Sequence, residues 1–249
     1  MAATAEMIPA AETAQAGIDP ATLTDVERHF RAQLSPLRLF PGAALAVYHR
    51  GELVLDLVGG FADTQRGEMV ERSSLFPLFS GTKPFAAVAL WQLIERGLVE
   101  IEAPVAAYWP EFAQNGKDAV LVRHILSHRG GFPTTPPDLP SEQWGDWDAV
   151  TAAVAAMPLE HKPGAVSAYH FLTQHWVIAE VIRRVDGRPF ATYLREEVTA
   201  PLGLADTHLS LPLALEDRVV TLHATDGVDA WSLDTLRLIQ KSGLHRMMV

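Results

Sequence analysis

The sequence predicts an α+β fold in which an antiparallel sheet is flanked by helices and followed by a largely helical region. Residues 43–58 contain two apolar runs separated by a short polar turn, which is the pattern of a β-hairpin. From residue 75 to about residue 204 the apolar residues recur at helical spacing, and Pro and Gly interrupt them. The chain therefore reads as strands first and helices afterwards.

The N-terminal part provides one helix and the hairpin. The segment Asp19–Leu34 has an apolar face, and either Asp19 or Thr22 can cap its first turn. The strands of the hairpin are Ala43–Tyr48 and Leu53–Val58, and the second strand runs into a Gly-Gly pair. We expect the helix to cover a buried sheet.

Four helices are predicted in the region that follows, and each one stops where a glycine permits the chain to turn. They cover residues 82–96, 123–128, 147–157 and 171–185. Residues 133–140 contain four prolines and are predicted to form an irregular loop.

Composition excludes several classes of function. The chain has 249 residues, 48% of them hydrophobic, and a net charge of −10, which opposes binding to nucleic acid or to anionic lipid. No stretch is long and apolar enough to span a membrane, and no leader pattern is evident, so a cytoplasmic location is expected. The absence of cysteine excludes disulfides and a thiol nucleophile. Neither a cofactor nor a metal is implied, and the oligomeric state is not predicted.

Ser80 and Lys83 form the chemically informative pair. Their spacing of three places both side chains on one face of a helix, where the lysine can contact the hydroxyl. The helix that follows is apolar nearly all round, as expected of a buried central helix. A structural alternative remains open, in which Ser80 is only a helix cap and Lys83 a solvated side chain.

Four segments, in order, resemble the group formed by class C β-lactamases, penicillin-binding proteins and family VIII carboxylesterases. Phe79–Lys83 resembles the first catalytic motif of that group, and Val122–Pro133 is similar to a helix-end signature. Pro163–Phe171 aligns with the second catalytic motif, and Ala200–Thr207 looks like a recurrent later segment.

The resemblance covers about residues 20–215 and implies one β-lactamase/transpeptidase-like domain over residues 1–249. In this interpretation residues 20–75 hold the N-terminal helix and hairpin, and residues 76–205 hold the helical region. Residues 206–249 form a return segment and an atypical tail.

The second motif departs from the usual pattern in a way that favours the esterase-like branch. The resemblance carries over Tyr169 as a catalytic tyrosine, but Phe171 stands where the group has asparagine and cannot offer a side-chain oxygen to Lys83 or to a substrate amide. The chain is therefore expected to be a serine hydrolase of carboxylic esters, with small-molecule esters or amides as substrates. Ser80 would attack, and Lys83 and Tyr169 would move the proton, the choice of base being left open. A core tyrosine is the alternative for Tyr169.

A third motif, which in the group lines the site on a strand and supplies an oxyanion-hole amide, has no counterpart after Tyr169. The sheet is therefore expected to be incomplete, because in the group the N-terminal hairpin pairs with C-terminal strands. The tail Asp234–Val249 is either a helix that covers part of the sheet edge or the product of a truncated or frame-shifted reading frame. A catalytically impaired protein that binds ligand without turnover is the alternative function.

Other chemistries have weaker support. The sequence has no Gly-x-Ser-x-Gly elbow, Walker loop or dinucleotide fingerprint. His124 and His128 have a zinc-compatible spacing but lack the intervening glutamate, so helix capping is the preferred interpretation. His170 is either a pocket residue or a structural one. Three tryptophans are candidates for an acyl pocket, with core packing favoured for the last: Trp144, Trp147 and Trp176.

Overall fold

The computed structural model describes residues 4–6, 17–34 and 40–222. These residues form two compact units. One contains the described residues up to Pro77 together with those from Pro212 onward, and the other is Leu78–Leu211. The single domain inferred from the sequence stays a prediction, and the tail Asp234–Val249 lies outside the described residues.

The first unit is built on a small antiparallel sheet in the order β1 (Thr4–Glu6), β3 (Glu52–Asp63), β2 (Gly42–His49). Strand β2 (Gly42–His49) and strand β3 (Glu52–Asp63) form the predicted hairpin, and their turn is Arg50-Gly51 with φ of 51° and 86°. Two residues with positive φ are what a two-residue hairpin turn of type I′ requires. The unit also contains β1 (Thr4–Glu6), β4 (Glu68–Met69) and helix α1 (Pro20–Leu34).

Two further contacts lie in this unit, one at the start of helix α1 and one between Leu75 and the return segment. The Ala21 N–H donates to the Asp19 carboxylate at 3.0 Å, so Asp19 caps α1. The return segment pairs with Leu75, whose N–H donates to the Arg218 carbonyl at 2.7 Å and whose carbonyl accepts from Val220 at 2.9 Å. Strand β1 pairs with β3 and was not predicted, because three residues carry no readable alternation. Within the described residues the sheet is incomplete relative to a full β-lactamase/transpeptidase-like fold, as the sequence predicted.

The second unit is helical. Its α-helices are α2 (Lys83–Glu95), α3 (Val122–Leu126), α4 (Trp147–Ala156), α5 (Thr173–Asp186) and α6 (Phe190–Leu194). A π-helical turn, Arg195–Thr199, follows α6. Short 3₁₀ turns occur at Phe79–Thr82, Val105–Ala107, Pro110–Ala119 and Ser141–Gln143, and one more, Leu213–Arg218, lies in the first unit.

Helices α2 and α5 form the centre of the second unit. Ala89 and Leu93 of α2 and Ile182 of α5 are fully buried in one apolar cluster, together with Val150 and Val154 of α4. Burial of a side chain of this kind contributes roughly 1.5–3 kcal/mol. Helices α2 and α5 are therefore held in place by apolar packing in the core rather than by contacts at the surface.

The predicted helix bounds differ from the observed ones by at most two residues. Helix α3 ends at Leu126 instead of His128, because His128 has a φ of +57° and cannot continue the helix. Helix α5 begins at Thr173 and ends at Asp186, and Gly187, with a φ of +91°, is its left-handed cap. No helix within the described residues has the length and apolarity needed to cross a bilayer.

Candidate active site

Ser80 lies in the 3₁₀ turn that leads into α2, entirely within the second unit. The residue before it, Phe79, has a φ of +49°, which is a disfavoured conformation for a bulky residue. Two hydrogen bonds hold the turn: the Gly81 N–H donates to Leu78 at 2.8 Å, and the Thr82 hydroxyl donates to Phe79 at 2.7 Å. Backbone strain of this kind persists only where neighbouring contacts fix it, and it is common at functional sites.

The structure brings together the three residues singled out in the sequence. The Ser80 hydroxyl and the Tyr169 phenol are hydrogen-bonded at 2.6 Å, although 89 residues separate them along the chain. The Lys83 ammonium donates to Ser80 Oγ at 3.2 Å, and its Nζ lies 4.7 Å from the centre of the Tyr169 ring. A nucleophile is thus within hydrogen-bond reach of two groups that can exchange a proton with it.

Lys83 has a second anchor that the sequence does not reveal. Its Nζ donates to the main-chain carbonyl of Phe171 at 3.1 Å and lies 6.0 Å from the centre of the Phe171 ring. The Phe171 side chain has no oxygen to offer to Lys83, as the sequence analysis stated. The backbone of the same residue supplies the acceptor.

The electrostatic setting favours ionisation of Tyr169. Burial raises the pKa of the phenol, but the hydrogen bonds from Lys83 and Ser80, together with the positive charge of Lys83, outweigh it and bring the pKa below the usual value of 10. Tyr169 is 49% exposed, so the group that contacts Ser80 is also accessible from solvent.

Three histidines lie near Lys83 or Tyr169, and their surroundings lower the pKa of each ring. The His128 ring lies 4.8 Å from the Tyr169 ring and 5.7 Å from the His170 ring. Burial, and then the charge of Lys83, lowers the pKa of His128. The pKa values of His170 and His175 fall to about 4, chiefly because desolvation of the rings disfavours the charged form.

The other candidates from the sequence take structural positions. His170 is 2% exposed and therefore does not line an open pocket. Trp176 lies in the core, Trp144 contacts it edge-on at 6.1 Å, and Trp147 donates from its indole to the buried Glu180 at 2.8 Å. These contacts give the three tryptophans structural roles within the second unit.

The zinc alternative gains no support from the positions of the two histidines. His124 accepts the Leu121 N–H at 3.1 Å and His128 accepts the His170 N–H at 3.1 Å, each through Nδ1. In the part of the chain that the structure describes, no three potential ligands come together. His128 is the residue whose place beside Tyr169 the sequence analysis missed, and its position in the helix-end signature was the available signal.

Comparison with known proteins gives a consistent picture. The beta-lactamase family model matches residues 26–237. The chain is similar to the esterase/beta-lactamase LipL of Mycobacterium tuberculosis, with 36% identity over 74% of this chain and 42% of the relative. Among solved structures it is similar to a penicillin-binding protein homolog from Caulobacter crescentus, with 38% identity, a TM-score of 0.78 and coverage of 85% of this chain and 57% of that one.

A family VIII carboxylesterase structure is similar at 33% identity and a TM-score of 0.76, over 83% of this chain and 57% of that one. The chain thus spans about half the length of the relatives that it matches.

Proposed function

The chain belongs to the beta-lactamase family, whose model covers most of its length, and from that premise we propose that it is a serine hydrolase that cleaves carboxylic esters through an acyl-enzyme on Ser80. The observation that carries the proposal is the 2.6 Å hydrogen bond between Ser80 and Tyr169, with the Lys83 ammonium 3.2 Å from the same hydroxyl. Two of the similar proteins are described as an esterase/beta-lactamase and as a family VIII carboxylesterase, which supports an ester substrate.

Acylation begins with proton transfer from the Ser80 hydroxyl to the Tyr169 phenolate. The positive charge of Lys83 stabilises the phenolate before this transfer. After the transfer, Ser80 Oγ forms a bond to the ester carbonyl carbon. We assign the role of immediate base to Tyr169 because its oxygen is closer to Ser80 Oγ than the Lys83 nitrogen is. Collapse of the tetrahedral intermediate breaks the bond to the alcohol, which leaves with the proton from Tyr169.

Deacylation repeats these steps with water as the nucleophile. Tyr169 takes a proton from the attacking water, the new bond forms at the acyl carbon, and Ser80 leaves with the proton that Tyr169 returns. The products are one carboxylic acid and one alcohol for each ester and water consumed. Phe171 offers an incoming amide no side-chain hydrogen bond, and this favours esters over lactams and peptides.

Binding without turnover is the second candidate, and the motif that it concerns is the third one. The sequence after Tyr169 has no counterpart of the third motif, which would supply one oxyanion-hole amide. Loss of one such donor typically costs on the order of 100- to 1000-fold in rate. A chain without that amide would bind an ester but would not turn it over at a steady rate.

Hydrolysis of p-nitrophenyl acetate and butyrate by the purified chain tests the proposal. Ser80→Ala and Tyr169→Phe should abolish turnover, whereas the matched controls Ser127→Ala and Tyr48→Phe, both at exposed positions, should retain it. Labelling with a fluorophosphonate, followed by mass spectrometry, should place the adduct on Ser80.

The outcomes separate the two candidates. Steady turnover that is lost in Ser80→Ala supports the esterase. A single burst of p-nitrophenol equal to the enzyme concentration, with a stable adduct on Ser80, supports the impaired protein. Neither a burst nor an adduct in protein shown by circular dichroism to be folded would refute the esterase. Saturable binding of the ester to that protein, measured by isothermal titration calorimetry, would then support the impaired protein, and no binding would refute both.

A further inference from the structure

His128 occupies a position at the end of α3 that ordinarily takes glycine or asparagine. Its N–H donates to the Ile125 carbonyl at 3.2 Å, and the Arg129 N–H donates to the His124 carbonyl at 2.6 Å. This pair of bonds is a Schellman motif, in which the residue after the helix cap is left-handed. His128 has the required φ of +57°, which is uncommon for a residue other than glycine.

The strained backbone directs two acceptors of His128 at the segment that carries Tyr169. The His128 carbonyl accepts the Ala168 N–H at 2.9 Å, and its ring Nδ1 accepts the His170 N–H at 3.1 Å. The two bonds therefore hold the residues on either side of Tyr169. The His128 ring itself lies 4.8 Å from the Tyr169 ring and contacts its side chain directly.

We propose that His128 is a positioning residue that holds Tyr169 against Ser80. Because Nδ1 accepts a hydrogen bond, the ring is neutral and carries its proton on Nε2. The Lys83 charge and burial both favour this neutral form. The proposal rests on the proposed function, in which the phenol of Tyr169 is the base.

Glycine at position 128 would be sufficient if the residue served only to end helix α3. Glycine adopts a φ of +57° without strain and completes the same helix end with the same backbone bonds. Glycine lacks the ring and the Nδ1 acceptor, however, and so would leave the His170 N–H without this partner. The ring and its Nδ1 acceptor are not needed to end the helix, and they are the parts of His128 that contact the Tyr169 segment.

Three substitutions separate positioning from stability. His128→Gly relieves the backbone strain but removes the Nδ1 acceptor and the ring. His128→Asn keeps an acceptor at the same place on the side chain, since Asn Oδ1 corresponds to Nδ1, and asparagine tolerates a left-handed backbone. His161→Ala replaces an exposed histidine of the same unit and serves as the matched control.

Two measurements are made on each variant. The first is kcat and KM for p-nitrophenyl butyrate. The second is the phenol pKa of Tyr169, obtained by ultraviolet titration with the curve of Tyr169→Phe subtracted, which is practical because the chain has four tyrosines. The second measurement does not depend on turnover and therefore tests positioning even if the proposed function fails. Thermal unfolding of every variant provides the comparison with stability.

In His128→Gly we expect kcat to fall on the order of 10- to 100-fold with little change in KM, since a small displacement of a catalytic group costs about that much. The Tyr169 pKa should rise, because the phenol loses contact with Lys83 and Ser80. His128→Asn should restore most of both properties, and His161→Ala should change neither. A Tyr169 pKa in His128→Gly equal to that of the parent would overturn the proposal. A pKa shift in a chain without turnover would support positioning and count against the esterase alone.

Discussion

The Lys83 ammonium lies 3.1 Å from the main-chain carbonyl of Phe171, so the acceptor that positions the lysine belongs to the backbone. A backbone acceptor is independent of the identity of the side chain. The Phe171 ring contributes only a more distant contact, 6.0 Å from Nζ to the ring centre. This difference allows the two contributions to be separated by mutation.

Phe171→Ala should retain at least about a tenth of the proposed esterase activity, because the carbonyl that holds Lys83 remains. Lys83→Met should lose about 100-fold or more, the usual scale for removal of a group that takes part in proton transfer. Steady-state hydrolysis of p-nitrophenyl butyrate compares the two variants. A loss in Phe171→Ala as large as that in Lys83→Met would mean that the ring, and not the carbonyl, positions the lysine.

Stability should fall between pH 6.5 and pH 4 because of His170. Burial lowers the pKa of His170 to about 4, whereas the unfolded chain binds the proton near 6.5. Between these values the unfolded state holds more protons, so the free energy of unfolding decreases as the pH falls, by up to roughly 3 kcal/mol for this one group. Urea denaturation at several pH values measures the dependence.

His170→Leu should reduce this pH dependence, and the exposed His161→Leu should leave it unchanged. Neither ring nitrogen of His170 has a hydrogen-bond partner among the described residues, so leucine leaves no polar group newly unpaired. Part of the dependence should persist in the variant, since the pKa of His175 is also lowered to about 4. Equal slopes in the parent chain and in His170→Leu would contradict the prediction.

Lys117 should be essential for stability, although it lies outside the candidate site. It is fully buried, and its ammonium donates to the carbonyls of Gln114 at 2.8 Å, Ala155 at 2.9 Å and Met157. Lys117→Met leaves these carbonyls without that donor and should cost about 3–5 kcal/mol, as expected when a buried charged network is broken. The exposed Lys162→Met is the control, and urea denaturation is the measurement. A loss below about 1 kcal/mol would show that the carbonyls find other partners.

Gly131 should tolerate alanine much less well than Gly187 does. Both have left-handed backbones, with φ of 83° and 91°, but a Cβ on Gly131 would lie 2.4 Å from the His161 carbonyl oxygen, whereas one on Gly187 would meet nothing within 4 Å. Gly187→Ala should therefore cost about 1 kcal/mol from the backbone alone. Gly131→Ala should cost several-fold more and also displace the chain at residues 160 and 161, which donate to the Gly131 carbonyl. Similar melting temperatures for the two variants would contradict the steric argument.

Local patterns were sufficient to predict the hairpin, the main helices and the pairing of Ser80 with Lys83. Strand alternation, helical spacing and glycine stops all depend on residues close together in the chain, and a spacing of three brings two side chains together in any helical turn. The same reasoning could not find strand β1, whose three residues gain their structure only by pairing with β3. The family was recognised from the order of four short segments, and the family model confirms it.

The sequence by itself therefore determined the family, the α+β fold class and the identity of the residues proposed for the chemistry. Only the tertiary structure decided how those residues meet: that the Tyr169 phenol reaches Ser80, that the Phe171 carbonyl holds Lys83, and that His128 lies beside Tyr169. These contacts join segments some 40 to 90 residues apart. Their geometry depends on how the turn before α2, the end of α3 and the segment before α5 lie around the core of the second unit, and no local pattern encodes that arrangement.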